Sequence, residues 1–161
     1  MRLMEWISAA AAAAILSACG ADPEPSAALT PPPDGAPYLP VATVLELMES
    51  TIAHAAEDYW GAVKVVVDET GVQEQYPETA EEWEEVWAAA MTLAESGNLL
   101  MMPTRAVDNG AWLEYSRALV QVGVRAAEAA ERQDPEQIFA AGEEVYNVCV
   151  GCHTIYIPME Q

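Results

Sequence analysis

The chain has 161 residues, with 26 acidic and 6 basic side chains and a formal net charge of -20. That balance excludes nucleic acid as a partner, because phosphate backbones are held by Lys and Arg. It fits either a solvated acidic exterior or a face that docks on basic surfaces. Ala, Glu, Leu and Val dominate, strand-like alternation is scarce, and Gly and Pro cluster outside the long periodic segments, so the expected fold is all-α with one domain.

Residues 1–18 read as a lipoprotein export signal, with Arg2 (and an atypical Glu5) in the n-region and an apolar run from Ile7 to Leu16. The run is too short for a comfortable membrane span. It ends in Leu16-Ser17-Ala18-Cys19, which resembles a bacterial lipobox and makes Cys19 the expected lipidation site. The alternative is ordinary cleavage near Ala21 with Cys19 discarded. Either way the address is periplasmic, and Gly20 leaves inner against outer membrane open. Residues 19–40 form a linker in which Pro23, Pro25, Pro31, Pro32, Pro33, Pro37 and Pro40 favour an extended polyproline tether. At ~3.1 Å per residue such a tether holds the domain several tens of ångströms from its anchor.

Residues 41–161 are the expected helical domain. A first helix over about 41–67 carries the seam Val41, Leu45, Met48, Ile52, Ala55, Tyr59, Ala62 and Val66, broken by Asp68, Glu69 and Gly71. Thr79 and Glu82 form a capping box for a second helix with Trp83, Val86, Trp87, Ala90 and Leu93 inward, stopping at Gly97-Asn98. Leu99-Leu100-Met101-Met102-Pro103 is an unusually apolar connection. Asp108 or Asn109 caps a third helix, about 110–131, with Trp112, Tyr115, Leu119, Val122 and Ala126 inward. Asp134-Pro135 is an N-cap and first-turn proline opening a fourth helix, which Pro158 ends. The short third connection favours an antiparallel up-down-up-down four-helix bundle.

Near its end the fourth helix carries Cys149-Val150-Gly151-Cys152-His153, the attachment sequence of a c-type haem. On a helix, positions i, i+3 and i+4 share a face, so both thiols and the imidazole converge on one porphyrin edge. A zinc site needs further ligands, and only His54 and Cys19 remain. A redox dithiol needs no following His. In the antiparallel topology Met48, about 10 Å into the first helix, and His153, about 6 Å from the end of the fourth, lie at the same end as the apolar connection.

With these residues on the page, 41–156 resembles the cytochrome c′ family. The resemblance rests on Leu47-Met48, Glu82-Trp83, Asn98-Leu99-Leu100-Met101 and Tyr146-x-x-Cys149-x-x-Cys152-His153, which are similar to its tethered low-spin members. It implies one covalent haem c with His153 proximal, the first helix supplying the distal face, and the self-association through helices one and two common in the family. Met48 is the leading distal iron ligand, against a core-filling Met, with Met101 and Met102 as rivals. Arg105 and Arg117 are candidates for a haem propionate, against surface ion pairs, and Trp112 and Tyr115 for the wall of the macrocycle. The basic residue that family members often place just after the haem His is absent from Thr154-Ile155-Tyr156. His54 is expected off the seam. Trp60, Trp83 and Trp87 are expected at the far end, as core and not as an electron path.

The expected function is a lipid-anchored, periplasm-facing one-electron carrier whose partner is a redox protein with a basic docking surface. The alternative is a five-coordinate haem protein that binds NO or CO. No acid–base constellation indicates an enzyme.

Overall fold

A computed structural model describes residues 32–69 and 71–157. The export signal, Cys19 and most of the Pro-rich linker lie outside the described residues, as does Pro158. Residues 32–43 carry turns and bends but no helix or strand. No helix among the described residues is long and apolar enough to cross a membrane.

The protein is mostly helical. Thr43 and Glu46 form a capping box that starts α1 (Val44–Leu47), which runs through a π-helical turn (Met48–Ile52) into α2 (Ala53–Gly61). Thr79 and Glu82 cap α3 (Ala80–Leu100) in the same way, as expected. Before α4 (Ala111–Glu131), Asp108 Oδ1 accepts from the N–H groups of Gly110, at 2.7 Å, and Trp112, at 3.2 Å. Asp134 caps α5 (Pro135–Tyr156), its Oδ1 accepting from Gln137 N at 3.1 Å.

The most extensive interface is α3 on α4, followed by α4 on α5, and α2 packs on both α3 and α5. Neighbours run antiparallel. Trp87 Nε1 reaches Glu131 at 3.1 Å while Ala94 lies against Gly123; Arg125 Nε reaches Glu144 at 2.9 Å while Trp112 meets Tyr156. Trp60 Nε1 donates to Gly142 O at 3.0 Å between α2 and α5. At Gly123 a Cβ would stand 2.6 Å from Ala94 N, so the α3–α4 backbones approach as closely as they do only because that side chain is missing. The core is Ala-rich, and its large members include Trp83, Trp112, Tyr59, Leu93, Ile138 and Val145. Tyr59 donates its hydroxyl to Ala126 O at 3.3 Å, and burial pushes its phenol well above the usual range.

Three expectations are corrected. The fold is not purely α: β1 (Lys64–Asp68) and β2 (Gly71–Gln75) form an antiparallel hairpin with Lys64 opposite Gln75 and Val67 opposite Val72. The β-branched run Val65-Val66-Val67 prefers a pleated strand to the end of a helix, so the first helix stops at Gly61. Second, the first-helix seam is out of phase upstream of the π turn. Leu45 is 65% exposed and Leu47 takes the core position at 4%, because the extra residue of a π turn rotates everything before it relative to everything after. Third, α3 passes through Gly97-Asn98 and ends at Leu100, with Met101 as its C-cap.

Candidate functional site

The last two turns of α5 place Cys149, Cys152 and His153 on the wall of a cavity of about 500 Å³. Across it lie Met48, Ile52 and Ala56. Leu100 borders it at the end of α3, and Trp112, Tyr115 and Leu119 line it from α4. Four separate segments therefore meet in one space, and most of the side chains lining it are apolar, with Glu57, Ser116, His153 and Thr154 as the polar exceptions. Of the polar ones, Ser116 donates its hydroxyl to Trp112 O at 2.8 Å and is satisfied within its own helix. His153 is exposed, and Cys149 and Cys152 are half-buried and unpaired. A cavity of this size and character is typical of a bound organic group.

Met48 opens the π turn and is half-buried. Its inward position comes from that turn and not from the unbroken seam expected of the sequence, although the residue is the one expected. Ser50 Oγ donates to Glu46 O at 2.5 Å one turn back within the same stretch.

Both thiols are pushed up: Cys149 by burial first and then by the charge of Cys152, and Cys152 by burial. They sit at the C-terminal end of α5, where the helix dipole also disfavours a thiolate. A reactive dithiol needs the opposite setting, a helix N-terminus or a neighbouring cation. Among the described residues no group of three or more His, Cys, Asp or Glu side chains converges as a metal cluster.

Trp112 is buried against the cavity, donating Nε1–H to Leu100 O at 2.8 Å. Its ring meets that of Tyr156 edge-on, with centroids 5.0 Å apart. The Tyr156 hydroxyl in turn donates to Asp108 Oδ2 at 2.5 Å, so the end of α5 is tied to the start of α4 directly beside the cavity. Tyr115 presses on the middle of the Cys-x-x-Cys-His segment. A Cβ at Gly151 would stand 2.7 Å from Tyr115 Cε1.

Arg105 does not line the cavity. It is 8% exposed, and its guanidinium donates to Ala42 O (3.1 Å), Leu99 O (3.3 Å) and Met102 Sδ (2.9 Å), which ties the chain entering α1 to the α3–α4 connection. These three contacts brace that connection. Met101 and Met102 are also off the wall, and Arg117 is exposed. His54 borders a separate, polar cleft between α2 and α3. Trp83 is buried as expected, whereas Trp60 is not a far-end core residue: it borders the cavity and is 37% exposed. Trp60 lies one position past the seam residue Tyr59, on the flank of α2 that faces α5, where its Nε1 donates to Gly142 O. Tyr115 lines the cavity beside Trp112, where the sequence places it, whereas the second Asp108 oxygen and its bond to Tyr156 were not visible in the spacing.

Comparison of the chain with protein-family models, curated proteins and solved structures returns no match. Function is therefore read from the cavity and the residues around it.

Proposed function

We propose that this cavity holds one covalent haem c, that the helices form an antiparallel up-down-up-down bundle of the cytochrome c′ kind, and that the protein is a one-electron carrier. The observation that carries the reading is that Met48 and His153, more than a hundred residues apart, border the same apolar cavity as Cys149 and Cys152. The donor set fits the group: two protonated thiols one turn apart, an imidazole next to the second, and a thioether on the facing segment. When bound, haem iron supplies a one-electron couple.

The chain's own residues do the rest. Cys149 and Cys152 would hold the group through thioether bonds, each thiol adding S–H across one vinyl group; His153 would offer an imidazole nitrogen to the iron, and Met48 a thioether sulfur from the facing segment. Trp112 and Tyr115 wall the cavity, and the apolar lining keeps water away, which favours electron transfer with little rearrangement. No acid–base group faces the cavity in a catalytic arrangement, so the reading is a carrier and not an enzyme. In this reading Cys19 bears lipid and the Pro-rich linker tethers the domain at the periplasmic side of a bacterial membrane; cleavage near Ala21 would leave it soluble in the periplasm. A second reading, a five-coordinate haem that binds NO or CO, is favoured by Ile52 and Ala56, which flank Met48 with purely apolar surface.

The test is to mature the full chain in a periplasm competent for haem c attachment, and to take its mass and optical spectrum with and without CO. The expected protein carries polypeptide, lipid and one haem, with a low-spin spectrum that CO leaves unmoved; Met48→Ala gains CO binding. Colourless protein at the mass of polypeptide and lipid would remove the haem assignment. A high-spin wild type that takes up CO would replace the carrier by the gas-binding reading.

A further inference from the structure

The outer face of α5 carries a pattern that the fold leaves uncovered. Glu136, Phe139, Glu143 and Tyr146 recur at three- and four-residue spacing, all exposed, so acidic and aromatic side chains alternate along one stripe. Phe139 is 63% and Tyr146 55% exposed. Phe139 and Tyr146 stand two turns apart on one face, and among the described residues only the edge of Trp60 meets this stripe, leaving both rings more than half exposed. Beside the stripe stands Trp60, edge-on to Tyr146 with ring centroids 6.1 Å apart and its Nε1 hydrogen-bonded to Gly142 O. Trp60 and Tyr146 border two spaces at once: the main cavity, and a shallow cleft of about 290 Å³ that also contains Phe139 and Glu143. The two rings are the partition between the cavity and the surface, and Glu57 stands at the same mouth.

We propose that Trp60, Phe139 and Tyr146, rimmed by Glu57, Glu136 and Glu143, are the docking face for a redox protein with an apolar centre ringed by Lys and Arg, and that electrons cross at this partition. The inference rests on the haem reading above and adds the place and chemistry of the partner. Charge complementarity selects the occupant. A second copy would bring its own acidic rim and a charge of -20 against this one, whereas a basic ring pairs with it. Aromatic groups at the centre of an acidic rim supply the desolvated contact, and the rim supplies orientation and on-rate. In the exchange one electron passes from this protein's reduced iron to the partner's oxidised centre, and no proton or covalent bond moves.

The test uses apolar cations on the full haem-loaded chain. Tris(phenanthroline)ruthenium(II), inert toward the protein's redox state, is titrated while backbone amide shifts are followed. Oxidation of the reduced protein is then timed with tris(phenanthroline)cobalt(III) and, separately, with anionic hexacyanoferrate(III). The expected shifts fall on residues 136–150 and on Trp60. Phe139→Ser and Glu143→Gln, both at exposed positions off the wall of the main cavity, should each weaken ruthenium binding and slow the cobalt reaction by at least about fivefold, while the hexacyanoferrate rate stays within about twofold. Val67→Ser on the hairpin should change none of these. Shifts elsewhere, unchanged rates in loaded variants, or a dimer that Phe139→Ser dissociates would each overturn the proposal. If the chain carries no haem, the haem reading fails on the rates, and the ruthenium titration still decides the surface.

Discussion

Gly151, between the two cysteines, is where packing and helix propensity pull in opposite directions. An alanine in a helix interior is favoured over glycine by about 1 kcal/mol. Against that, its Cβ would meet the ring of Tyr115 at 2.7 Å, and overpacking typically costs about 1–3 kcal/mol. The ring is half-buried and its nearest atoms are at its far end, so the outcome depends on whether it can swing into the cavity. In protein without haem it can, and Gly151→Ala should leave thermal stability within about 0.5 kcal/mol of wild type, the two effects offsetting. In loaded protein the space is taken, and the same substitution should cost about 1–2 kcal/mol. Urea unfolding of both forms checks this; equal effects in both would mean that nothing occupies the space Tyr115 needs. At this scale much of the site was legible. Spacing alone puts Cys149, Cys152 and His153 together, and height on the first helix puts Met48 at the same end, where all four border one cavity. The partner of Gly151 was not, since the five-residue motif says nothing about the ring packed on its middle position.

Among elements, the join between α5 and α4 has a pH window that can be worked out. The bond to Asp108 raises Tyr156 from 10.0 to about 12, and the same bond, followed by the Gly110 N–H, lowers Asp108 below the ordinary carboxylate value. A raised folded-state value means that the Tyr156 contribution is complete below pH 10 and is lost between 10 and about 12. A lowered value means that the Asp108 contribution is complete above the unfolded carboxylate pKa and is lost as pH falls through the folded one. The join is thus whole from mildly acidic to mildly alkaline pH. Asp108→Asn should return Tyr156 toward 10, read as an earlier phenolate absorbance step that Tyr156→Phe removes. If the step does not move, the two groups are not bonded in solution. The caps around this join were legible, because Thr79 with Glu82 and Asp134 with Pro135 act through bonds only a few residues long. The π turn and the hairpin were not. A single added residue in a turn leaves no mark on composition, yet it moves Leu45 out of the core and brings Leu47 in. The Val65-Val66-Val67 run satisfies the helix seam and the strand preference alike, and only the chain's return through Val72 and Gly71 decides for the strand.

For the whole molecule the governing quantity is charge. Six basic side chains can neutralise few of the 26 acidic ones, and Arg125 and Arg132 already pair with Glu144 and Glu128 on the surface, where such pairs are worth little. Repulsion among the remaining carboxylates therefore opposes the compact state, and salt should relieve it. Raising NaCl from about 10 to about 150 mM shortens the screening length from about 30 to about 8 Å, which silences repulsion between charges on different helices while leaving close pairs largely intact. Relief of about 1 kcal/mol would raise the melting temperature by roughly 3–6 °C for a domain of this size. The same salt should weaken docking of any cationic partner, because the charge that loosens the fold is the charge that steers it. Thermal melts and cation titrations over one salt series should therefore move in opposite directions: firmer fold, weaker docking. A melting temperature that falls with added salt would mean that attractive pairs outweigh the repulsion, and the acidic surface would then be a stabilising network and not a docking charge carried at the expense of stability.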